Sequence, residues 1–527
     1  MDLDFRAIPK HLFAPDAAPP GYLAARWLFL RALGLIFFSA FYSLAYQIRG
    51  LIGPNGILPA HDYLVQVARV LGNARFWYAP TVFWWSASDR FLLGVVVVGM
   101  VASLLLVLNL CPRGMLLICL IAFLSFIAAA QDFASYQSDG MLLEAGFISL
   151  FFAPPGWLPG WGSLDPPSRA SRYLLVWLMF RIYFESGIAK ILGHDPEWRD
   201  FTAMDQYYQN GPLPTWIAWY AHQLPHWFHA ATAFLTLALE LALIFAIFLP
   251  RRSRIVFFFV ITVWQIGIIL TSNYAFLNYI VLVLGFLLLD DPFLDRFLPQ
   301  RLRPAAPSPP TSETAEAGTQ NWRNQLRLWV QAIFLTWIFY ATSALLIFML
   351  FPAAPLPAGP VRALEPFRFA NEFGLFAVMT RERYEIEFQG SRDGQTWAPY
   401  PFRNKPQDVH APPRIYAPYQ PRFDWNLWFA SLGTWRQYPW VVQVERHLLS
   451  GDPEVLGLFA RDPFPGRPPE QIRVVLWQYW FTSPREKRDQ GLWWRREQIG
   501  LYAPTLEHMP DGKIGVLEFP EASPEFK

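Results

Sequence analysis

Cysteine is nearly missing from this chain. Its 527 residues include two, Cys111 and Cys119, both in or beside hydrophobic runs. There is no Cys-x-x-Cys and no cysteine beyond residue 119. Disulfide exchange needs a reactive thiolate pair in water, and none is available. Asn-x-Ser/Thr acceptors are also missing; for a large outward domain that favours a bacterial source over a glycosylated secretory protein. Charge is scarce, with 16% of residues charged against about 25% in soluble domains. The net charge of +2 gives no one-signed surface for nucleic acid. No Gly-rich phosphate loop and no Gly-x-Ser-x-Gly elbow occurs, and Ser391 and Ser431 have no evident base. The first apolar stretch starts near Leu23 and is long enough for a span, so it does not read as a cleavable signal.

Hydrophobic residues are abundant, at 54%, with 24 Trp, 21 Tyr and 46 Phe. Such aromatic loading suits interfacial belts around membrane helices. Spans need about 20 mostly apolar residues. The candidates are 22–47, 91–111, 114–131, 139–154, 171–191, 229–249, 254–272, 274–290 and 328–351. Each is apolar nearly all round, unlike a surface helix. Arg6, Lys10, Arg26, Arg113, Arg169, Arg172, Arg251, Arg252, Arg254, Arg296, Arg301 and Arg303 fall on one side if the spans alternate. The positive-inside rule then puts the N-terminus in the cytoplasm and, with nine spans, the C-terminus outside. Residues 299–325 are rich in Pro, Ala, Ser and Thr and read as a disordered linker.

From about residue 360 the pattern changes. Apolar and polar residues alternate through YEIEFQGSRDGQTWAPY around Asp393-Gly394, which predicts a type I′ hairpin. RVVLWQYWFT reads as a further strand, and 424–432 and 439–460 read as helices broken at Gly451-Asp452-Pro453. The expected fold is a multi-pass α-helical membrane bundle of about nine spans with a C-terminal α+β or β-sandwich-like water-facing domain. Its divisions are a transmembrane core of eight spans (1–298), a cytoplasmic linker (299–326), a ninth transmembrane helix (327–352) and a lumenal or periplasmic domain (353–527).

Ionisable groups inside spans are costly unless paired or wet, so each marks a candidate site. They are Asp139, Glu144, Arg181, Glu185, Lys190 and Glu240, joined by the polar Gln265, Asn273 and Asn278. Topology puts Asp139, Glu144, Glu185, Lys190, Asn273 and Asn278 in the outer half of the membrane. One reading is a polar cavity open to the outside. The other is internal glue, with Arg181 and Glu185 four apart on one helix face. His222, His226 and His229 cluster without a cysteine, and Pro225 interrupts their helical spacing; no metal site is expected. Tryptophans are dense in the C-terminal region. Trp425, Trp428, Trp435 and Trp440 are candidates for a client-binding surface, against core packing or membrane contact.

Several long strings, in order, resemble the lipase maturation factor family. They are GPNGILPA (53–60), YQSDGMLLEAGFISLFFAP (136–154), the stretch 180–225 beginning FRIYFESGIAKILGHDPEW, and TSNYAFLNYIVLVLGFLLLDD (271–291). FRFANEFGLFAVMTRERYEIEFQGSRDGQTW (367–397), APYQPRFDWNLWFASL (417–432) and GDPEVLGLFARDPFPGRPPEQIRVVLWQYWFT (451–482) follow. The resemblance implies a non-enzymatic membrane protein of the endoplasmic reticulum, or of the inner membrane in a bacterium, needing no cofactor. Its outward domain would assist folding and assembly of secreted clients, homodimeric lipases in that family. GIAKILGHDPEW (187–198) also resembles the membrane domain of vitamin K-dependent carboxylases, which would make Lys190 a catalytic base. Asp195 and Trp198 are not adjacent here, a departure from that pattern. A scaffold subunit of a membrane complex is the third reading.

Overall fold

The computed structural model describes residues 8–16, 18, 21–303 and 322–521. Most of the predicted linker lies outside the described residues. All nine predicted apolar segments are helical: α1 (Leu23–Ile52), α2 (Asp89–Val107), α3 (Pro112–Ile127), α4 (Gln137–Phe152), α5 (Arg169–Leu192), α6 (His226–Leu241), α7 (Arg251–Thr271), α8 (Leu277–Gly285) and α9 (Trp322–Leu350). Among the described residues, five helices are long and apolar enough to cross a membrane: α1, α2, α6 with its 3-10 extension to Phe248, α7 and α9. Two shorter apolar helices cover Pro112–Ile127 and Leu277–Leu288. α5 has the length, but Arg169, Arg172, Arg181, Glu185 and Lys190 make it too polar for that class. α4 is buried along most of its length, including Asp139 and Glu144.

Local signals account for several helix ends. Ser168 caps α5 by accepting from the Ser171 amide. Pro112 opens α3 at a position with no amide bond to lose. α1 continues to Ile52, beyond the predicted end at 47. Its final turns pack against the C-terminal part of the chain: Gly50 lies so close to the Glu454 carbonyl and Leu458 that a side chain there would collide.

The C-terminal part carries one antiparallel sheet, in the order β2-β1-β3-β4-β5. Its strands are β1 (Arg383–Ser391), β2 (Ala398–Pro399), β3 (Gln471–Phe481), β4 (Trp494–His508) and β5 (Ile514–Glu518). Two helices, α10 (Arg422–Ser431) and α11 (Trp440–Ser450), accompany it. The α+β alternative is therefore correct, and the sandwich is corrected: the described strands form a single sheet. Ile386 and Phe388 alternate with Arg383, Glu385, Glu387 and Gln389 along β1, and both sets are buried. Charge burial is tolerated because Glu385 meets Lys405 at 2.7 Å and Glu387 meets Arg496 at 3.0 Å. One buried apolar cluster runs from Phe29 to Leu506 and so joins the sheet region to the helices.

The predicted turn at Asp393-Gly394 exists, but it is not type I′. The last β1–β2 pair is Gly390 with Ala398, leaving a loop of residues 391–397. Gly394 has φ +72°, whereas Asp393 is not among the residues of positive φ, and type I′ needs both. The loop is held instead by side chains. The Asp393 carboxylate accepts from the Gln395 and Thr396 amides at 2.9 and 2.7 Å, and the Ser391 hydroxyl accepts from the Gly394 amide at 2.9 Å. Those amides hold the Asp393 carboxyl below the usual range. Gly394→Val should cost about 1–2 kcal/mol, the penalty of a left-handed L-residue. Thermal melting of the full chain in detergent checks this, and an unchanged midpoint would remove the turn requirement.

Glu445 on α11 is buried, and neither carboxylate oxygen has a hydrogen-bond partner among the described residues. Burial pushes its carboxyl well above the ordinary 4.5, opposed by nearby Arg446. The folded state therefore favours the protonated form. The associated stability is full below the unfolded value of about 4.3 and declines as pH rises towards the folded one. Glu445→Met removes the titrating group, so its melting temperature should gain on wild type as the pH is raised from 5 towards the folded value. A constant difference across that range would contradict the linkage.

Candidate functional site

The predicted polar cluster forms a seam. Backbone amides and carbonyls of an irregular segment need partners, and the segment following α9 finds them on α4, α5 and the loop after α5. Glu144 Oε2 accepts from the Asn371 amide and from Asn371 Nδ2, both at 3.1 Å. Arg181 donates to the Asn371 carbonyl at 2.7 Å and also pairs with Glu144. Glu185 accepts from the Phe373 amide at 2.8 Å, and Arg181 lies 3.6 Å from its carboxylate. Lys190 donates to the Leu375 carbonyl at 2.9 Å. Beyond α5, Trp198 Nε1 donates to Phe376, and Asn210 Nδ2 to Thr380, each at 2.9 Å. Residues 371–380 are thus fastened along the helical body. Gly140 permits the approach: a Cβ there would fall 2.6 Å from Asn371 Oδ1.

Asp139 and Asn273 secure a second segment. Arg422, at the start of α10, grips Asp139 with two bonds of 2.8 and 2.7 Å, both side chains being almost wholly buried. That fork geometry is the strongest pairing the two groups can make. Asn273 Oδ1 accepts from the Tyr416 and Ala417 amides at 3.0 and 3.1 Å, while its Nδ2 donates to the Arg414 carbonyl at 2.8 Å. Asn278 stands apart. It donates to Gln265 at 2.7 Å, and Gln265 donates to the Tyr183 hydroxyl at 2.7 Å, so this network is internal to the helices.

Lys190 is surrounded by interactions. Its ammonium bonds both Glu240 oxygens at 3.1 and 2.9 Å and lies 5.0 Å above the Trp198 ring. Its carboxylate partner comes from α6. Every ammonium proton has an acceptor, which suits a structural cation better than a base. His226 and His229 both address Asp205, at 2.8 and 2.7 Å. Among the described residues no three His, Cys, Asp or Glu side chains group as a metal ion would require.

Of the two readings of the tryptophans, burial favours core packing. Trp425, Trp428 and Trp440 are buried and Trp435 is half-buried. Trp425 stacks on Tyr136 with centroids 4.9 Å apart, and Trp440 meets Phe133 edge-on at 5.4 Å. α10 is enclosed because it lies between the helical body and β1. These rings extend the same seam. Sequence reasoning missed Arg422, Asn371 and the pairing role of Glu240. One signal was available: Asp139, Glu144, Glu185 and Glu240 outnumber Arg181 and Lys190 within the apolar runs. A further cation had to come from elsewhere.

Two family models match this chain: the lipase maturation factor transmembrane domain over residues 24–296 and the lipase maturation factor C-terminal domain over 369–504. The seam lies between those two matched regions. Lipase maturation factor 1 of Bos taurus is 32% identical, covering 95% of this chain and 92% of its own length. Lipase maturation factor 2 of Gallus gallus is 31% identical over 91% of this chain and 81% of its own. Lipase maturation factor 1 of Homo sapiens is 29% identical over 94% and 92%. No solved structure matches. The relatives are named as maturation factors, not as enzymes. With both regions matched in order and the alignment spanning nearly the whole length, the chain is a membrane protein of the lipase maturation factor family.

Proposed function

We propose that this protein assists the maturation of secreted lipases, using its C-terminal region as the client-facing part and its helices as the membrane anchor. The observation that carries the reading is kinship with lipase maturation factors over nearly the whole chain. The seam supports it, since a fixed platform loses little ordering entropy when a client binds. Homodimeric lipases are the client class we favour. Nine crossings put the N-terminus and residues 299–326 in the cytoplasm and 353–527 in the lumen of the endoplasmic reticulum, or the periplasm of a bacterium. The core, linker, ninth helix and outward domain keep the boundaries given above.

The test is a secreted homodimeric lipase co-expressed with this chain in cells lacking a maturation factor. Specific activity in the medium, per unit of lipase antigen, should rise several-fold. No rise with a well-expressed chain would defeat the proposal. Topology has its own check: reporter fusions after Ser312 and after Lys527 should give opposite signals, and equal signals would change the parity of the span count.

A further inference from the structure

A cavity of about 390 Å³ opens where the second half of α1 meets the C-terminal region. That size falls in the usual range for small-ligand sites, about 300–1,000 Å³. Its walls include Tyr42 and Tyr46 from α1, and Arg403, Asn404, Tyr419 and Asp424 from the C-terminal region. Helix geometry sets its depth. Trp27, which packs on Trp161 at 5.3 Å, marks one aromatic belt on α1. A hydrocarbon layer of about 30 Å takes roughly 20 helical residues, which brings the opposite boundary level with Tyr46. The cavity therefore stands at headgroup height, and Tyr42 and Tyr46 are exposed beside it.

Two opposite charges line this space without ion-pair partners among the described residues. Arg403 is exposed and gives one bond, to the Gly457 carbonyl at 3.0 Å. Asp424 is buried, accepts from Asn404 Nδ2 at 3.0 Å and from the Asn404 amide at 3.4 Å, and lies in the field of Lys405, whose ammonium is bound to Glu385. Tyr419 lies in the field of both. Tyr42 meets each of the other two tyrosines edge-on. Tyr42 and Tyr46 are 5.1 Å apart at 71°, and Tyr42 and Tyr419 are 6.2 Å apart at 77°. Perpendicular rings beside a carboxylate form the environment that holds an organic ammonium, while a guanidinium takes phosphate. An anionic headgroup without an ammonium would leave the Asp424 carboxylate with no cation to meet, and a simple cation would meet Arg403.

We propose that this cavity seats the headgroup of a zwitterionic phospholipid, its phosphate on Arg403 and its ammonium among Tyr42, Tyr46, Tyr419 and Asp424. The site does not depend on the identity of any client. The test is native mass spectrometry of the full chain in detergent, titrated with equal amounts of phosphatidylcholine and phosphatidylglycerol. Wild type should retain phosphatidylcholine in preference. Arg403→Gln and Tyr46→Leu, both at exposed positions, should keep the wild-type melting temperature. Arg403→Gln should lower phosphatidylcholine occupancy about tenfold, for the lost charge-assisted contact to phosphate, and Tyr46→Leu should lower it while leaving any residual phosphatidylglycerol unchanged. Equal retention of the two lipids by wild type would overturn the proposal, as would occupancy indifferent to both substitutions. Soluble glycerophosphocholine supplies a further arm. Displacement of the lipid at matched concentration would assign the cavity to a water-soluble ligand and overturn the lipid claim; failure to displace it supports the lipid.

Discussion

Arg422→Met should destabilise the protein by about 3–5 kcal/mol, because removing one member of a buried ion pair strands the other in a low-dielectric site. The stranded group is Asp139, which draws both of its charge-assisted bonds from Arg422. Arg422 also donates to the Phe133 carbonyl at 2.8 Å and lies over the Phe126 and Tyr136 rings, so the change removes packing as well as charge. The double variant Arg422→Met, Asp139→Leu should recover much of the loss, since an apolar pair of similar volume is often neutral. Denaturant titration in detergent, followed by tryptophan fluorescence, measures both. Trp425 and Trp440 report directly because they pack on Tyr136 and Phe133. A single variant as stable as wild type would mean that the C-terminal region is held without this pair.

Lys190→Met alone should lower stability by about 3 kcal/mol, with Glu240 left as the uncompensated partner. Adding Glu240→Leu should restore accumulation in the membrane. It should also restore lipase maturation per molecule of protein, because the Leu375 carbonyl then loses only one of the many bonds that fasten its segment. A base catalyst behaves differently. If Lys190 performed carboxylase-like chemistry, the double variant would accumulate normally and still fail to mature the client. Lipase activity normalised to membrane protein level separates the two outcomes.

The positions of the helices were legible because a run of about 20 apolar residues has few other destinations. The seam was half legible. Asp139, Glu144, Arg181, Glu185 and Lys190 stand out as charges inside such runs, and that contrast depends on composition alone. Their partners do not stand out. Arg422 is one arginine among many in a polar stretch, and Asn371 is a single asparagine in an irregular segment outside any apolar run, where neither its backbone nor its side-chain bonds leave a periodic signal. The tryptophans left two readings open for a related reason. α10 carries Trp425 and Trp428 beside Arg422, Asp424 and Asn426, a mixture that reads as surface, yet nearly all of it is enclosed between two larger bodies. At Asp393-Gly394 the dipeptide announced a turn. The turn's type was decided by Ser391 and by the Asp393 side chain, which bonds local amides instead of closing a two-residue loop.

The seam also sets a schedule for the making of the protein. Asp139 and Arg422 are 283 residues apart in the chain, and Glu144 and the Asn371 amide 227. At about 5–20 residues per second, a ribosome that has just released α4 needs on the order of 15 to 60 s to deliver Arg422. Through that interval Asp139 is in place without its cation. The translocation machinery, neighbouring lipid or a bound chaperone has to shelter it until the last third of the chain arrives. A nascent chain stopped before residue 422 keeps an acid on α4 without its arginine. A factor that helps other proteins assemble is thus itself slow to become complete.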